Sequence, residues 1–178
     1  MELKPLEITE IENFLHTRFK QTVSDIAHLG HGVWSQAFSF RHLGKDYVIR
    51  FGLYSDDFKK DQIAAAYAVS HLPIPQVTEI GQALGRSFAI SERAFGNMLD
   101  GLDEPQMVQI VPAVFQMLDA MRMTDISSTS GYGNWNTEKV APYPTWQECL
   151  LDVWNDPMTS RTYGWRASLK NSPMGDAP

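Results

Sequence analysis

The chain has 178 residues, of which 43% are hydrophobic and 20% are charged, so it can bury the core of one globular domain or slightly more. Its net charge of -6 argues against general nucleic-acid binding and is compatible with a cationic small-molecule partner. A single cysteine, Cys149, excludes an intrachain disulfide and a cysteine-cluster metal site. No apolar run reaches the roughly 20 residues that span a bilayer, and the first residues lack a signal-peptide apolar core, which together predict a cytoplasmic protein without a membrane partner.

The predicted elements begin with a helix and a strand. Thr9 and Glu12 form a capping-box pattern, and apolar residues at helical spacing predict a helix over residues 10–20. Residues 23–29 carry the apolar residues Val23, Ile26 and Leu29 among polar ones, which predicts a strand that leads into a glycine-containing turn.

A strand hairpin follows this turn. Apolar residues recur at every second position over residues 36–43 and again over residues 46–51, as half-buried strands require. Between them Gly44 supplies the backbone freedom of a tight turn. The pattern therefore predicts two antiparallel strands.

The later elements are a helix, a second strand pair and two further helices, predicted over residues 57–71, 76–80, 86–91, 105–121 and 145–154. Ser55 or Asp56 can cap the first of these helices, and Pro73 ends it. Pro112 kinks or restarts the second helix. Turn-forming residues predict a long loop over residues 124–144.

Two features of the hairpin suggest phosphate chemistry. Gly30, Gly32 and Ser35 have the spacing G-x-G-x-x-S just ahead of its first strand, where small residues let backbone N–H groups approach a phosphate closely. Arg50 lies on the opposite strand face from its apolar neighbours and can point toward the space beneath that loop. The alternative is an ordinary loop that precedes a strand.

The order of these elements resembles the amino-terminal lobe of a kinase and, more narrowly, the aminoglycoside phosphotransferase family. The resemblance covers roughly residues 8–155 and is carried by five segments: residues 37–40 (AFSF), 47–50 (YVIR), 72–75 (LPIP), 129–133 (TSGYG) and 145–146 (TW).

The resemblance implies an α+β fold. A kinase-like amino-terminal lobe with a five-stranded antiparallel sheet, helices and a nucleotide site would occupy residues 1–95. A linker and the first helices of a truncated carboxy-terminal lobe would occupy residues 96–156, and an irregular tail residues 157–178.

The resemblance also assigns nucleotide-binding roles. Gly30, Gly32 and Ser35 fall on the phosphate-covering loop, where serine replaces the third kinase glycine, and Ala37 falls on the small apolar position above the adenine. Arg50 falls on the strand position where protein kinases hold the lysine that pairs with the nucleotide's phosphates. The alternative for Arg50 is a cation that only caps a sheet face.

Three further residues receive roles by resemblance. Asp61, on the next helix, is the candidate for the acid that pairs with Arg50, and Asp57 is the alternative. Backbone groups around Ser91 and Arg93 match the hinge between the lobes, where they would form hydrogen bonds with adenine.

The family's catalytic residues have no counterpart in the chain. Phosphoryl transfer in this fold uses an aspartate in a His-x-Asp loop and a second aspartate that holds magnesium. The 5 histidines lie within the first 71 residues, and none has aspartate two positions later. The resemblance thus implies the amino-terminal part of an ATP-dependent antibiotic kinase, inactive as this short chain, with Mg²⁺ and a cationic aminoglycoside as partners only in a complete enzyme.

A second hypothesis is a non-catalytic module that binds nucleotide or assembles with copies of itself. The apolar stripe predicted between Met107 and Met121, and the tryptophans Trp146, Trp154 and Trp165, would be covered by the second lobe in the family. In a homo-oligomer they would instead be buried between subunits.

Overall fold

A computed structural model describes residues 4–20, 22–32 and 34–155 of the chain. The chain divides into two compact units, of which the first ends at Thr124 and the second begins at Asp125. The predicted tail over residues 157–178 lies outside the described residues, and the lobe boundaries implied by the resemblance, after residues 95 and 156, stay a prediction.

The described residues of the first unit form five strands and three α-helices. In chain order they are α1 (Ile8–Arg18), β1 (Val23–His31), β2 (Ser35–His42), β3 (Lys45–Gly52), α2 (Ser55–Ala65), β4 (Val77–Ala83), β5 (Arg86–Glu92) and α3 (Glu104–Arg122). A single 3-10 turn, Leu99–Gly101, precedes α3.

The five strands form one sheet in the order β1-β2-β3-β5-β4. Every neighbouring pair is antiparallel, so the predicted five-stranded antiparallel sheet and the α+β fold class are confirmed. β5 lies between β3 and β4, because the chain passes through α2 before it returns to the sheet. β3 is therefore a central strand, with hydrogen-bonded partners on both edges.

One face of the sheet packs against α1. Ile11 and Leu15 of this helix have 0% exposure, and the Phe14 ring makes edge contacts with the rings of Phe51 and Phe88 at centroid distances of 6.0 and 5.4 Å. Burial of each such side chain stabilises the fold by about 1.5–3 kcal/mol. The core therefore occupies this face, and every second strand residue points to the other face.

The first helix begins earlier than the sequence predicted. Glu7, not Thr9, is its N-cap, and the Glu7 N–H donates to the Glu10 carboxylate at 2.9 Å. The cause is tertiary: the Gln36 side chain forms two hydrogen bonds with the backbone of Leu6, at 2.8 and 3.0 Å, and so fixes where the chain enters the helix. The predicted Thr9 cap was wrong.

The second helix ends at Ala65 rather than at the predicted His71. The Gln76 side-chain amide donates to the Ala65 carbonyl at 3.0 Å and so satisfies a backbone group at the helix end. Beyond it, the Val69 N–H donates to the Leu72 carbonyl at 3.1 Å, which closes a turn before the two prolines. In α3, by contrast, the helix runs unbroken past Pro112.

Gly81 lies inside β4, beyond residue 80, where the sequence predicted that this strand ends. It is the Cα partner of Phe88 on β5, and a Cβ built on it would lie 2.6 Å from the Phe88 ring. Only glycine therefore leaves room for this ring at the core face.

Gly81→Ala is expected to destabilise the chain by about 1–3 kcal/mol, because the methyl group overpacks a site occupied by a buried ring. Urea unfolding measures this free energy. The cost should fall in a Phe88→Leu background, where the smaller side chain makes room. An equal cost in both backgrounds would contradict the steric explanation.

In the second unit, an irregular segment precedes one short helix, as predicted. Among the residues described there, α4 spans Trp146–Leu151 and a 3-10 turn spans Asp152–Asn155. Thr145 caps α4 by accepting a hydrogen bond from the Glu148 N–H at 3.1 Å, which confirms the predicted start of this helix. None of the helices in the described ranges combines the length and apolar composition that a membrane span needs.

Two carboxylates of the second unit have lowered pKa values. The Tyr143 hydroxyl donates to Asp152 and, with a smaller contribution from the Asn155 amide, lowers the pKa of that carboxyl. The Ser127 N–H lowers the pKa of Asp125 by the same means. Each carboxylate therefore accepts hydrogen bonds that stabilise the turn or loop around it.

Candidate functional site

One row of residues crosses the sheet on the face opposite the core. Gly30, Ala37, Arg50 and Ala89 are successive Cα partners on β1, β2, β3 and β5. Directly paired residues of antiparallel strands point to the same face. Glycine and alanine occupy three of these positions, so this part of the sheet forms a shallow trough with one cation on its floor.

Arg50 is paired with Asp61 of α2. Its Nη2 atom lies 2.5 Å from the Asp61 Oδ2 atom, and the side chains are 31% and 45% exposed. Asp57, the alternative partner, instead pairs with Lys60 at 3.0 Å. The predicted ion pair therefore forms, and aspartate is long enough to make it.

The paired arginine keeps donors free for a ligand. Among the hydrogen bonds of the described residues, Arg50 uses only Nη2. A guanidinium carries five N–H donors in a planar fork, which matches the geometry of phosphate oxygens. The trough thus has an oriented, half-exposed cation that can bind an anion.

The glycine loop, defined here as residues 30–35, differs from the predicted one. Gly30 belongs to β1, at an irregularity in its pairing with β2, and has a φ of +148° with no atom within 4 Å of an added Cβ. The Gly32 N–H donates to the Ser35 carbonyl at 2.8 Å. This N–H therefore closes the loop and does not face a ligand, whereas the space above Gly30 is open.

The predicted hinge residues lie at the other end of the strands. Ser91 is 8% exposed and follows Ala89 by two positions, so both are on the trough face. The Arg93 N–H donates to the Asp46 carbonyl at 3.2 Å. This N–H is thus used within the fold, just beyond the end of β5, which leaves the Arg93 carbonyl as the polar backbone group of that residue for a ligand.

Sequence reasoning missed three small or apolar residues that shape this site. Ala89, which is 1% exposed, lies beside Arg50. The apolar residues Phe88 and Ile90 on either side of it form the alternating sequence pattern that could have placed Ala89 on this face. Gly52 and Phe58 lie near the glycine loop, and no local pattern predicts their contact.

The open space and the cation of the trough suit the phosphate groups of a nucleotide. The described residues contain no group of three or more His, Cys, Asp or Glu side chains that could hold a metal. The open space above Gly30 and the free donors of Arg50 suit a phosphate chain. A glycine loop at one end of an antiparallel sheet, with a strand cation paired to an acid of the next helix, defines a kinase-like nucleotide-binding lobe.

Comparison with known proteins narrows this class. No family model matches the sequence. The curated hygromycin-B 4-O-kinase of Escherichia coli is 33% identical over 174 residues, which are 97% of this chain and 50% of that kinase. The chain therefore spans about half the length of the curated relative it matches.

Solved structures give the same result. The crystal structure of aminoglycoside phosphotransferase APH(4)-Ia matches with a TM-score of 0.80 at 31% identity, over 96% of this chain and 61% of that one. A thermostable mutant of it, in a ternary complex with AMP-PNP and hygromycin B, matches with a TM-score of 0.76 at 34% identity, over 89% of this chain and 52% of that one. The resemblance is confirmed: over about half of their length, these aminoglycoside phosphotransferases, including the hygromycin B kinase, are similar to this chain.

Proposed function

We propose that this chain is the nucleotide-binding part of an ATP-dependent aminoglycoside phosphotransferase. In the proposed complete enzyme, a phosphoryl group passes from ATP to a hydroxyl of an antibiotic such as hygromycin B, which confers resistance. The observation that carries the proposal is the Arg50–Asp61 pair at the floor of the trough. The related phosphotransferase whose structure contains AMP-PNP and hygromycin B supports the choice of both ligands.

The proposed nucleotide lies along the strands. Ser35 is the first residue of β2, at the glycine-loop end, and Ser39, the partner of Val48 on β3, lies four residues nearer the hinge. Four strand residues span about 13 Å. In this pose the phosphates lie near Arg50, adenine lies over Ala37, and its edge faces the backbone around Ser91 and Arg93.

Charge supports this orientation and the class of second substrate. A charge-assisted hydrogen bond from Arg50 to a phosphate contributes about 1.5–3 kcal/mol. The chain's net charge of -6 favours approach of a cationic aminoglycoside over a nucleic acid. We also propose a cytoplasmic location, where ATP is supplied. That no nucleic acid or membrane is a partner stays a prediction.

Titration of the 178-residue chain with ATP tests the nucleotide site. Calorimetric binding and an increase of the melting temperature are expected, since a ligand at 100 times its Kd stabilises the folded state by about 2.7 kcal/mol. GTP titration in parallel reports how far the base is recognised. No heat and no shift with ATP would contradict the proposal.

The chain alone is expected not to phosphorylate hygromycin B. No His-x-Asp sequence is present to supply the aspartate that accepts the hydroxyl proton. Incubation with ATP, Mg²⁺ and hygromycin B, followed by mass spectrometry of the antibiotic, measures transfer, and the full-length Escherichia coli relative is the positive control. Product above a protein-free blank would contradict this expectation.

A second candidate function is self-association without catalysis. None of the described residues of α3 is buried, and Val108 and Phe115 are 67% and 62% exposed. An apolar helix face of this kind is typical of an interface. Light scattering after size exclusion distinguishes the candidates, because self-association predicts an oligomer that Phe115→Glu dissociates, and a stable monomer counts against it.

A further inference from the structure

Phe58 lies next to both Arg50 and Gly52, on the trough face of β3. It lies in the first turns of α2, is 3% exposed, and belongs to the helix that also carries Asp61. The guanidinium carbon of Arg50 lies 5.3 Å from the centroid of the Phe58 ring. This distance is within the cation–π range, so the ring supports the cation while Asp61 pairs with it.

The same ring lies over the end of β3 at Gly52, which the glycine loop also approaches. A Cβ built on Gly52 would lie 3.2 Å from Phe58 Cζ and 3.2 Å from the carbonyl oxygen of Trp34. The ring and the loop backbone thus lie against the same glycine. Because Gly52 lacks a side chain, α2 and the loop can both approach β3 at this point.

We infer that Phe58 is a positioning residue, which acts on the nucleotide through Arg50. Its rigid ring orients the guanidinium over the trough, and Gly52 leaves the space on β3 that the ring occupies. A flexible aliphatic side chain fills part of the same volume but presents no ring face to the cation. This inference rests on the proposed function, since it names what holds the phosphate-binding group in place.

The test compares the ATP dissociation constants of matched variants of the 178-residue chain by calorimetry. Phe58→Leu is expected to weaken ATP binding about tenfold, which corresponds to about 1.4 kcal/mol. Gly52→Ala approaches the ring from β3 and is expected to weaken binding in the same direction. Phe88→Leu is the control, because it makes the same change in the core on the opposite sheet face and should alter the constant by less than about twofold.

A double-mutant cycle separates positioning from general loss of stability. If Phe58 acts through Arg50, Phe58→Leu should add less than about twofold in an Arg50→Met background. Equal effects of Phe58→Leu and Phe88→Leu, or a full tenfold effect without Arg50, would overturn the inference. If Phe58→Leu does not fold, Gly52→Ala serves as the test variant. An ATP dissociation constant that Gly52→Ala leaves unchanged would then overturn the inference. An unmodified chain that does not bind ATP would refute the proposed function as well.

Discussion

Replacing Arg50 by methionine is expected to weaken ATP binding by this chain about 10- to 100-fold. The substitution keeps an unbranched apolar stem over the Phe58 ring but removes the charge and the donors, which contribute about 1.5–3 kcal/mol toward a phosphate. Calorimetry measures the dissociation constant, and the melting temperature without ligand should change little, because half-exposed ion pairs contribute about 1 kcal/mol or less to stability.

Arg41→Met is the matched control for this experiment. Arg41 is an exposed cation on the neighbouring strand, where it donates to the Gly44 carbonyl at 3.3 Å, at the hairpin end of the sheet. Its loss removes the same charge from the chain and should leave ATP binding unchanged. Arg50→Lys should give an intermediate constant, because lysine keeps the charge and loses the planar fork. Equal effects of Arg41→Met and Arg50→Met would contradict a specific phosphate contact.

The largest effect on structure is expected from Gly131→Ala in the second unit. A Cβ at this position would lie 2.3 Å from the Ala141 carbonyl oxygen, and the residue has a φ of +74°. The backbone conformation alone costs a non-glycine residue about 1–3 kcal/mol, and the contact with backbone atoms adds to it. The bridges that flank Gly131, Ser130 to Val140 and Tyr132 to Tyr143, should therefore be lost.

Hydrogen exchange resolved by peptide measures this loss. The amides of Tyr132 and Ala141, which donate to backbone carbonyls at 2.8 Å, should lose protection in Gly131→Ala. Gly101→Ala is the control, since no atom lies within 4 Å of an added Cβ there, and its effect should stay within about 0.5 kcal/mol. Retained protection around residue 141 would show that the segment accommodates a side chain.

This glycine explains part of the resemblance in physical terms. The segment of residues 129–133 was recognised as a pattern of residue types, without a reason for its two glycines. In the structure, Gly131 lies between two backbone bridges and Gly133 against Cys149 and Tyr143. Both glycines are needed to fold the irregular segment onto itself.

The strands and the cation of the site were within reach of the sequence because their signals are local. Alternation at period two depends only on neighbours along one strand, and it predicted the hairpin β2–β3 with its turn at Gly44. The same alternation separated Arg50 from the apolar face. Asp61 was predicted as the partner from the family resemblance, which places the paired acid on the helix that follows the strand.

Only the tertiary structure decided how these parts combine. That β5 lies beside β3 puts Ala89 next to Arg50, and this depends on where α2 returns the chain, not on any pattern within β5. The contact of Phe58 with Gly52 and the use of the Gly32 and Arg93 N–H groups within the fold are likewise nonlocal. The sequence alone thus determined which residues are strands and which cation faces away from the core, because side-chain alternation is a property of one strand. The shape of the site depended on packing between elements far apart in the chain, which short-range patterns do not contain.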